Sequence, residues 1–320
     1  MSHQAGWSNK RKEATGPKVL IATTVGGGTA AAMSAIESFL AVALTWRGAR
    51  VEVLLCDQQL PACKSLEWVT QSDATVVAEG GWNQTKICQE CWQTGRFLFE
   101  PLGLPLHRLS GQLTSTDREE AIRCAESVGS ADLSKVVRDG RPIGEHAIAG
   151  ALRYFATGEL DGSKEQWAVA RRYLEAAILT DIAVARVIAD IKPDIVLTSH
   201  GLYVPYGIIR NVAIAQARRF VTWNIGYRRR SLIFSEGETY HHTLQSEPVE
   251  RWLQAPWNES KRCETLAYLE SRIWGTHDWI WFYEQPHEQV DEALQNKGVD
   301  LGRPVITLLT NVIWDAQLHY

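Results

Sequence analysis

The sequence predicts an α/β protein in which a Rossmann-like parallel sheet is flanked by helices. Short apolar stretches rich in β-branched residues alternate with stretches of helical periodicity, and this alternation is typical of strands joined through helices. A turn of three glycines, Gly26 to Gly28, separates the first strand from the first helix. Strands joined in this way lie parallel and are connected by right-handed crossovers.

The first 57 residues make up one unit of strand, turn, helix and strand. Residues 18–25 are apolar and β-branched, residues 29–46 are rich in Ala with helical spacing, and residues 50–57 are predicted to form a second buried strand. Residues 1–17, which precede this unit, are polar, and we expect them to be a flexible leader.

The alternation continues towards the C-terminus after one interruption. Residues 58–111 are rich in Cys, Gly and Trp and have no clear period, so we expect an irregular, Cys-rich excursion from the sheet. The elements predicted after it are a broken helical stretch 116–158, a helix 165–191, a strand 194–199, a helix 205–218, strands 219–224 and 232–235, helices 260–274 and 284–297, and an apolar strand 305–312. That last strand has no neighbour, so we assign residues 18–298 to one lobe and residues 299–320 to a linker and the first strand of a truncated second lobe.

Composition excludes several classes of partner. The chain has 33 basic and 37 acidic residues, a net charge of -4, and therefore no general attraction for nucleic acid. No apolar stretch reaches the roughly 20 residues that cross a bilayer, and residues 1–17 lack the apolar core of a secretory signal. We expect a cytoplasmic protein without a membrane span. Peripheral membrane association and oligomeric state stay open.

The glycine turn has two interpretations. Gly26, Gly27 and Gly28 fit the pattern G-x-G-x-x-A between a strand and a helix, and Asp57 ends the next strand. In dinucleotide-binding folds such glycines admit a pyrophosphate and such an acid holds a ribose. A glycine turn at this position also serves sheets that bind other ligands, and we favour a ligand-facing loop without NAD.

Four cysteines have the spacing of a metal site. Cys56 and Cys63 are followed, after 24 intervening residues, by the pair Cys88 and Cys91. Four thiolates suit tetrahedral Zn²⁺, and because they leave no open position such a zinc would be structural. The alternatives are a buried Cys56 with an incidental Cys63, and a redox pair at Cys88 and Cys91.

Two polar groups carry candidate chemistry. His200 follows a predicted strand at the edge where parallel sheets bind their ligands, so it is a candidate general base, or else a structural histidine. The run 235–242 contains Glu238 and His241 and follows Tyr227 and three arginines from Arg228. It could supply an acid, a base and an anion clamp, or be an exposed loop.

Five segments together carry a family resemblance. They are the glycine turn Gly26 to Gly28, Leu55 to Asp57 with Leu60 to Cys63, Ser199 to Pro205, Trp223 to Tyr227, and Thr310 to Ala316. These segments resemble bacterial capsule polysaccharide biosynthesis proteins and related GT-B glycosyltransferases, in which one lobe holds the acceptor and usually the base, and the other lobe holds a nucleotide-sugar donor.

The resemblance implies sugar transfer from a nucleotide sugar to a surface polysaccharide or glycoconjugate, without a catalytic metal. Thr310 to Ala316 would then open the donor lobe. We expect His200 as the base, with Glu238 or His241 as alternates. The expected substrate-binding residues are Gly26, Gly27, Gly28, Tyr203, Tyr227 and Arg228. The competing hypotheses are an NAD-dependent oxidoreductase and a non-catalytic binding module held together by zinc.

Overall fold

The computed structural model describes residues 2–23, 31–68, 74–246, 248–274, 277–278, 290–306, 308 and 312–315. The glycine turn, Gly26 to Gly28, lies outside the described residues, as does most of the segment Thr310 to Ala316.

The core of the fold is a six-stranded sheet. The strands in the described residues, including two that lie outside this sheet, are β1 Lys18–Thr23, β2 Arg50–Leu55, β3 Leu106–Arg108, β4 Val137–Arg138, β5 Arg141–Pro142, β6 Ile195–Ser199, β7 Arg219–Ile225 and β8 Leu232–Glu236. Their order in this sheet is β3-β2-β1-β6-β7-β8, and β4 and β5 form a separate antiparallel ribbon. The first five strands of this order pair in parallel throughout. The predicted α/β fold class is therefore confirmed.

Helices connect and flank these strands. They are α1 Ser2–Glu13, α2 Ala31–Trp46, α3 Ala74–Ala78, α4 Lys86–Phe99, α5 Ser115–Ser127, α6 Gly144–Phe155, α7 Lys164–Ile191, α8 Tyr206–Ala215, α9 Tyr240–Ser246, α10 Val249–Leu253, α11 Glu259–Trp274 and α12 Val290–Asn296. None of the helices in the described ranges combines the length and apolar character that crossing a bilayer requires.

The long helix α7 shows why these elements form where they do. Ser163 precedes it, and its hydroxyl accepts a hydrogen bond from the backbone N–H of Gln166, which satisfies one of the free donors of the first turn. Lys192 ends the helix in a left-handed conformation, and Pro193 follows. Between these ends, α7 buries a long apolar face in the main core.

Two regions that were predicted without regular secondary structure contain it. The leader, predicted to be flexible, forms α1, and the Trp7 indole N–H donates to the carbonyl of Leu102 at 2.8 Å. The excursion at residues 58–111 contains α3 and α4, and it supplies β3, which pairs in parallel with β2. A strand of three residues is too short to produce a period that sequence analysis can detect.

The chain divides into two compact units. The larger consists of the described residues of Met1–Trp223, Phe234–Thr243 and Ile313–Tyr320, and the smaller of those of Asn224–Ile233 and Leu244–Val312. These boundaries differ from the predicted lobe at 18–298. The apolar pattern of a sequence indicates helices and strands. It does not show that the chain passes from one compact unit into the other and then returns to the first.

The apolar strand predicted at 305–312 is not found at its described positions. Val305, Ile306 and Leu308 are outside any strand and are 52%, 95% and 83% exposed. The other predicted strand residues at 307 and 309–311 lie outside the described residues. Apolar character alone therefore did not identify a buried strand in this segment.

Candidate functional site

The centre of the sheet contains a topological switch point. β1 and β6 are neighbours there, and the chain continues from β1 to one side of the sheet and from β6 to the other. Open parallel sheets bind their ligands at the carboxyl ends of the two strands at such a point. In this chain those ends are Thr23 and Ser199, and His200 follows directly.

The backbone after β6 adopts an unusual conformation that places the His200 side chain. His200, Gly201 and Tyr203 have φ values of +65°, +78° and +63°, although left-handed backbone is costly for residues other than glycine. The N–H of His200 donates to the carbonyl of Trp223 at 3.1 Å, and the Thr239 hydroxyl donates to the His200 carbonyl at 2.8 Å. Surrounding structure thus holds this turn, as is common at functional sites.

Two imidazoles meet at this turn. The His200 ring stacks on His241, the third predicted catalytic residue, with 4.9 Å between ring centroids and 26° between planes. His200 Nδ1 lies 3.3 Å from His241 Nε2, so one ring donates a hydrogen bond to the other. The pKa of His200 is well below its ordinary value of 6.5, because burial, and then the charges of Lys64, His241 and Arg153, disfavour the imidazolium. His200 is therefore neutral at neutral pH.

Tyr203 supports His200 from the side. Their rings meet edge to face at 5.6 Å. The Tyr203 hydroxyl accepts a hydrogen bond from Arg153 at 3.1 Å and donates to Asp315 at 3.3 Å, and the Lys64 ammonium lies 5.8 Å from the centre of the Tyr203 ring. Tyr203 is only 1% exposed. This placement supports a positioning role for Tyr203 in addition to, or instead of, the predicted contact with substrate.

Glu238 lies near the paired histidines but is engaged by an ion pair with Arg210 and by two further contacts. Its carboxylate contacts Arg210 at 2.5 Å and His242 Nδ1 at 3.2 Å, and it accepts the backbone N–H of Thr239. Glu238 therefore anchors the segment that leads into α9, which carries His241. Of the three predicted catalytic residues, His200 and His241 make direct contact.

Tyr227 and Arg228 belong to the smaller unit. Tyr227 is 59% exposed. Arg228 pairs with Glu264 at 2.8 Å and lies over the ring of Tyr268. Both contacts of Arg228 are with α11 of the same unit.

Sequence analysis missed Glu37, a buried carboxyl group at the switch point. Its two oxygens accept hydrogen bonds from the Trp223 indole at 2.9 Å and the Thr23 hydroxyl at 2.5 Å. Burial raises the pKa of Glu37 to about 7, although these two bonds and one from the backbone N–H of Ser199 lower it. Glu37 thus links the carboxyl ends of β1, β6 and β7. The available signal was that Glu37 is the only charged residue in α2.

The four predicted metal ligands line one small cavity. Cys56 follows β2, Cys63 lies in the next loop, and Cys88 and Cys91 lie on the first turns of α4. The cavity measures about 20 Å³. Its other lining residues are Gln58, Leu60, Ser65, Trp82 and Ile87.

Asp57, the predicted ribose ligand of the NAD interpretation, has a structural contact. Its Oδ1 atom accepts the backbone N–H of Ser110 at 2.9 Å, which ties the end of β2 to the segment after β3. The glycine turn that would complete a dinucleotide site is outside the described residues.

Comparisons with known proteins add little to this geometry. No protein-family model matches the chain, and no curated protein matches it. Among solved structures, a cyclodipeptide synthase from Bacillus thermoamylovorans aligns at 10% identity over 72% of this chain and 94% of its own, with a TM-score of 0.32. A likeness at this level carries no argument about activity.

Proposed function

We propose that the residues around His200 form the acceptor side of a glycosyltransferase site. His200 would take the proton from a saccharide hydroxyl as the oxygen of that hydroxyl attacks the anomeric carbon of a nucleotide sugar. The bond between that carbon and the nucleotide phosphate breaks, and the phosphate leaves with the electron pair. The observation that carries the proposal is the neutral His200 imidazole, paired with His241, at the topological switch point.

A general base for a hydroxyl must be unprotonated before the reaction. The low pKa of His200 ensures this at neutral pH. A base with a low pKa is also a weak one, and the charge of His241 contributes to this low pKa. Tyr203 and the strained turn fix the ring, so little reorientation is needed on the way to the transition state.

The charge beside His200 also suits a phosphate leaving group. Lys64 and Arg153 are close enough to lower the pKa of His200 through their charges. Positive potential of this kind stabilises the negative charge that accumulates on a departing nucleotide. The Asp57 side chain of the NAD hypothesis makes a structural contact, because its Oδ1 atom accepts the backbone N–H of Ser110.

The test is a transfer assay with the full chain. A panel of nucleoside diphosphate and nucleoside monophosphate sugars is incubated with saccharide acceptors, and release of the free nucleotide is measured. We expect release that depends on acceptor in the wild type and falls by about 100-fold or more in His200→Ala.

The matched control is His277→Ala, which removes an exposed histidine of the smaller unit and should leave turnover unchanged. Equal turnover in His200→Ala and wild type would contradict the role of His200. No acceptor-dependent release with any donor would contradict sugar transfer itself.

A further inference from the structure

We propose that Cys56, Cys63, Cys88 and Cys91 bind one structural zinc ion in the small cavity that they line. This site is separate from the paired histidines, and the proposal does not depend on sugar transfer.

The convergence of the four thiols is the main observation. They come from the end of a strand, a loop and one face of a helix, and up to 35 residues separate them along the chain, yet they line the same cavity. Cys88 and Cys91 are three residues apart on α4, so their side chains project from the same face.

The size and lining of the cavity favour a single ion over an organic ligand. A volume of about 20 Å³ exceeds the roughly 10–15 Å³ that one water molecule needs, and it is far below the few hundred Å³ of small-molecule pockets. The remaining walls include apolar side chains such as Leu60 and Ile87. Sulfur atoms are thus the principal ligands that this cavity offers, and Zn²⁺ accepts four of them in a tetrahedron.

A buried N–H group in the wall of the cavity lacks an acceptor. The Trp82 side chain lines the cavity and is only 1% exposed. Its indole N–H has no hydrogen-bond partner among the described residues, although buried polar groups are normally paired. A zinc-bound thiolate in the cavity would supply the acceptor that this donor lacks.

The four cysteine side chains do not lie in the geometry of a bound metal in this structure. Across the described ranges, no group of three or more His, Cys, Asp or Glu side chains is arranged as a ready metal site. Binding therefore requires the cysteine side chains to rotate towards the centre of the cavity. All four residues already line the cavity.

A zinc ion here would hold the excursion onto the sheet. It would link the end of β2 to α4 in a region where the chain has few long periodic elements. With four thiolates the ion has no open position, so its contribution is to the free energy of folding and not to catalysis.

The first measurement is the metal content of the purified full chain by mass spectrometry. We expect about one zinc per chain. The number of reactive thiols in the native protein should rise by four when the zinc is removed by a chelator. Replacement of zinc by Co²⁺ should produce intense thiolate-to-cobalt charge-transfer absorption and the visible bands of a tetrahedral ion. Chelation should lower the Tm of the wild type.

Serine variants locate the site. Cys88→Ser and Cys91→Ser should each lose zinc, whereas Cys124→Ser and Cys263→Ser, which alter cysteines outside the cavity, should retain it. If a cavity variant does not fold, the zinc content and cobalt spectrum of the wild type decide the question.

Three outcomes would overturn the proposal. A wild-type chain without zinc, whose cobalt form lacks thiolate charge transfer, would show that the cavity does not bind it. Zinc retained in both cavity variants would place the ion elsewhere. Iron with its own thiolate absorption, or a disulfide between Cys88 and Cys91, would assign these thiols to redox chemistry.

Discussion

His200 and His241 lie in stacked rings with 3.3 Å between Nδ1 of the first and Nε2 of the second. The contact joins the strand end at the switch point to the first part of helix α9, residues 240–243, which belongs to the larger unit. One imidazole can therefore influence the protonation of the other, and this relationship leads to the first prediction.

Replacing His241 by Ala should shift the pH dependence of activity. The charge of His241 helps to lower the pKa of His200, and loss of the ring also exposes His200 to water. Both changes raise the pKa of His200 towards 6.5, so the acid limb of the kcat/KM profile should move to higher pH. The profile of His241→Ala is measured beside that of the wild type. An acid limb that stays in place or moves to lower pH would contradict the coupling.

Replacing Glu37 by Gln should stabilise the protein at alkaline pH. The carboxyl ionises near 4.5 when unfolded and near 7 when folded, so the folded state binds its proton more tightly and loses stability as the pH rises between these values. A shift of this size corresponds to about 3 kcal/mol. We expect the free energy of unfolding of Glu37→Gln, relative to wild type, to increase by up to that amount between about pH 5 and pH 8.

The control for this prediction is Glu236→Gln, which removes an exposed carboxylate paired with Arg219 and should show no such gain. Denaturant unfolding at both pH values measures the difference. If the difference in the free energy of unfolding between Glu37→Gln and wild type is the same at both pH values, folding does not raise the pKa of Glu37.

Replacing Gly201 by Ala should destabilise the turn after β6 for two reasons. Gly201 has a φ of +78°, and an added Cβ would lie 2.7 Å from Cγ2 of Thr222. Gly237→Ala is the matched control, because Gly237 has nearly the same φ, +77°, with no atom within 4 Å of its added Cβ. We expect a loss of about 1 kcal/mol at Gly237 and of about 2–4 kcal/mol at Gly201. Equal losses would show that the Thr222 contact relaxes without cost.

Replacing Tyr203 by Phe should reduce kcat more than it changes KM. The substitution keeps the ring against His200 but removes the hydroxyl bonds to Arg153 and Asp315, and their loss should cost about 1–2 kcal/mol of stability. Thr45→Val, which removes a buried hydroxyl bonded to the Ala41 carbonyl, should lower stability comparably without changing kcat. If Tyr203→Phe raises KM alone, Tyr203 contacts substrate instead of positioning the base.

Local sequence patterns predicted the elements that are long or strongly apolar. Helix α7 was predicted at residues 165–191 and is observed at Lys164–Ile191, and the strand predicted at 194–199 is observed as Ile195–Ser199. The pattern failed for α1, which is polar over most of its length and is held by contacts such as that of Trp7 with Leu102. It also failed at residues 305–312, where apolar residues are exposed at the described positions.

The candidate site was predictable only in part, for a similar reason. His200 could be identified because it follows a strand, and the carboxyl ends of parallel strands face the same edge. Glu37 could not be assigned a role, since the strand ends that its carboxyl joins are up to 186 residues away along the chain. Its isolation in an apolar helix was a signal of burial and did not identify its partners.

The sequence by itself determined the alternation of strands and helices, the position of His200 at a strand end, and the four cysteines at metal-ligand spacing, because each depends on residues close together in the chain. The tertiary structure decided which strands are neighbours, and therefore that β1 and β6 create the switch point. It also brought His241 into contact with His200 and the Glu37 carboxyl into contact with three strand ends, and it gathered the four cysteines around one cavity. These contacts depend on the packing of distant segments, which no local pattern of residues specifies.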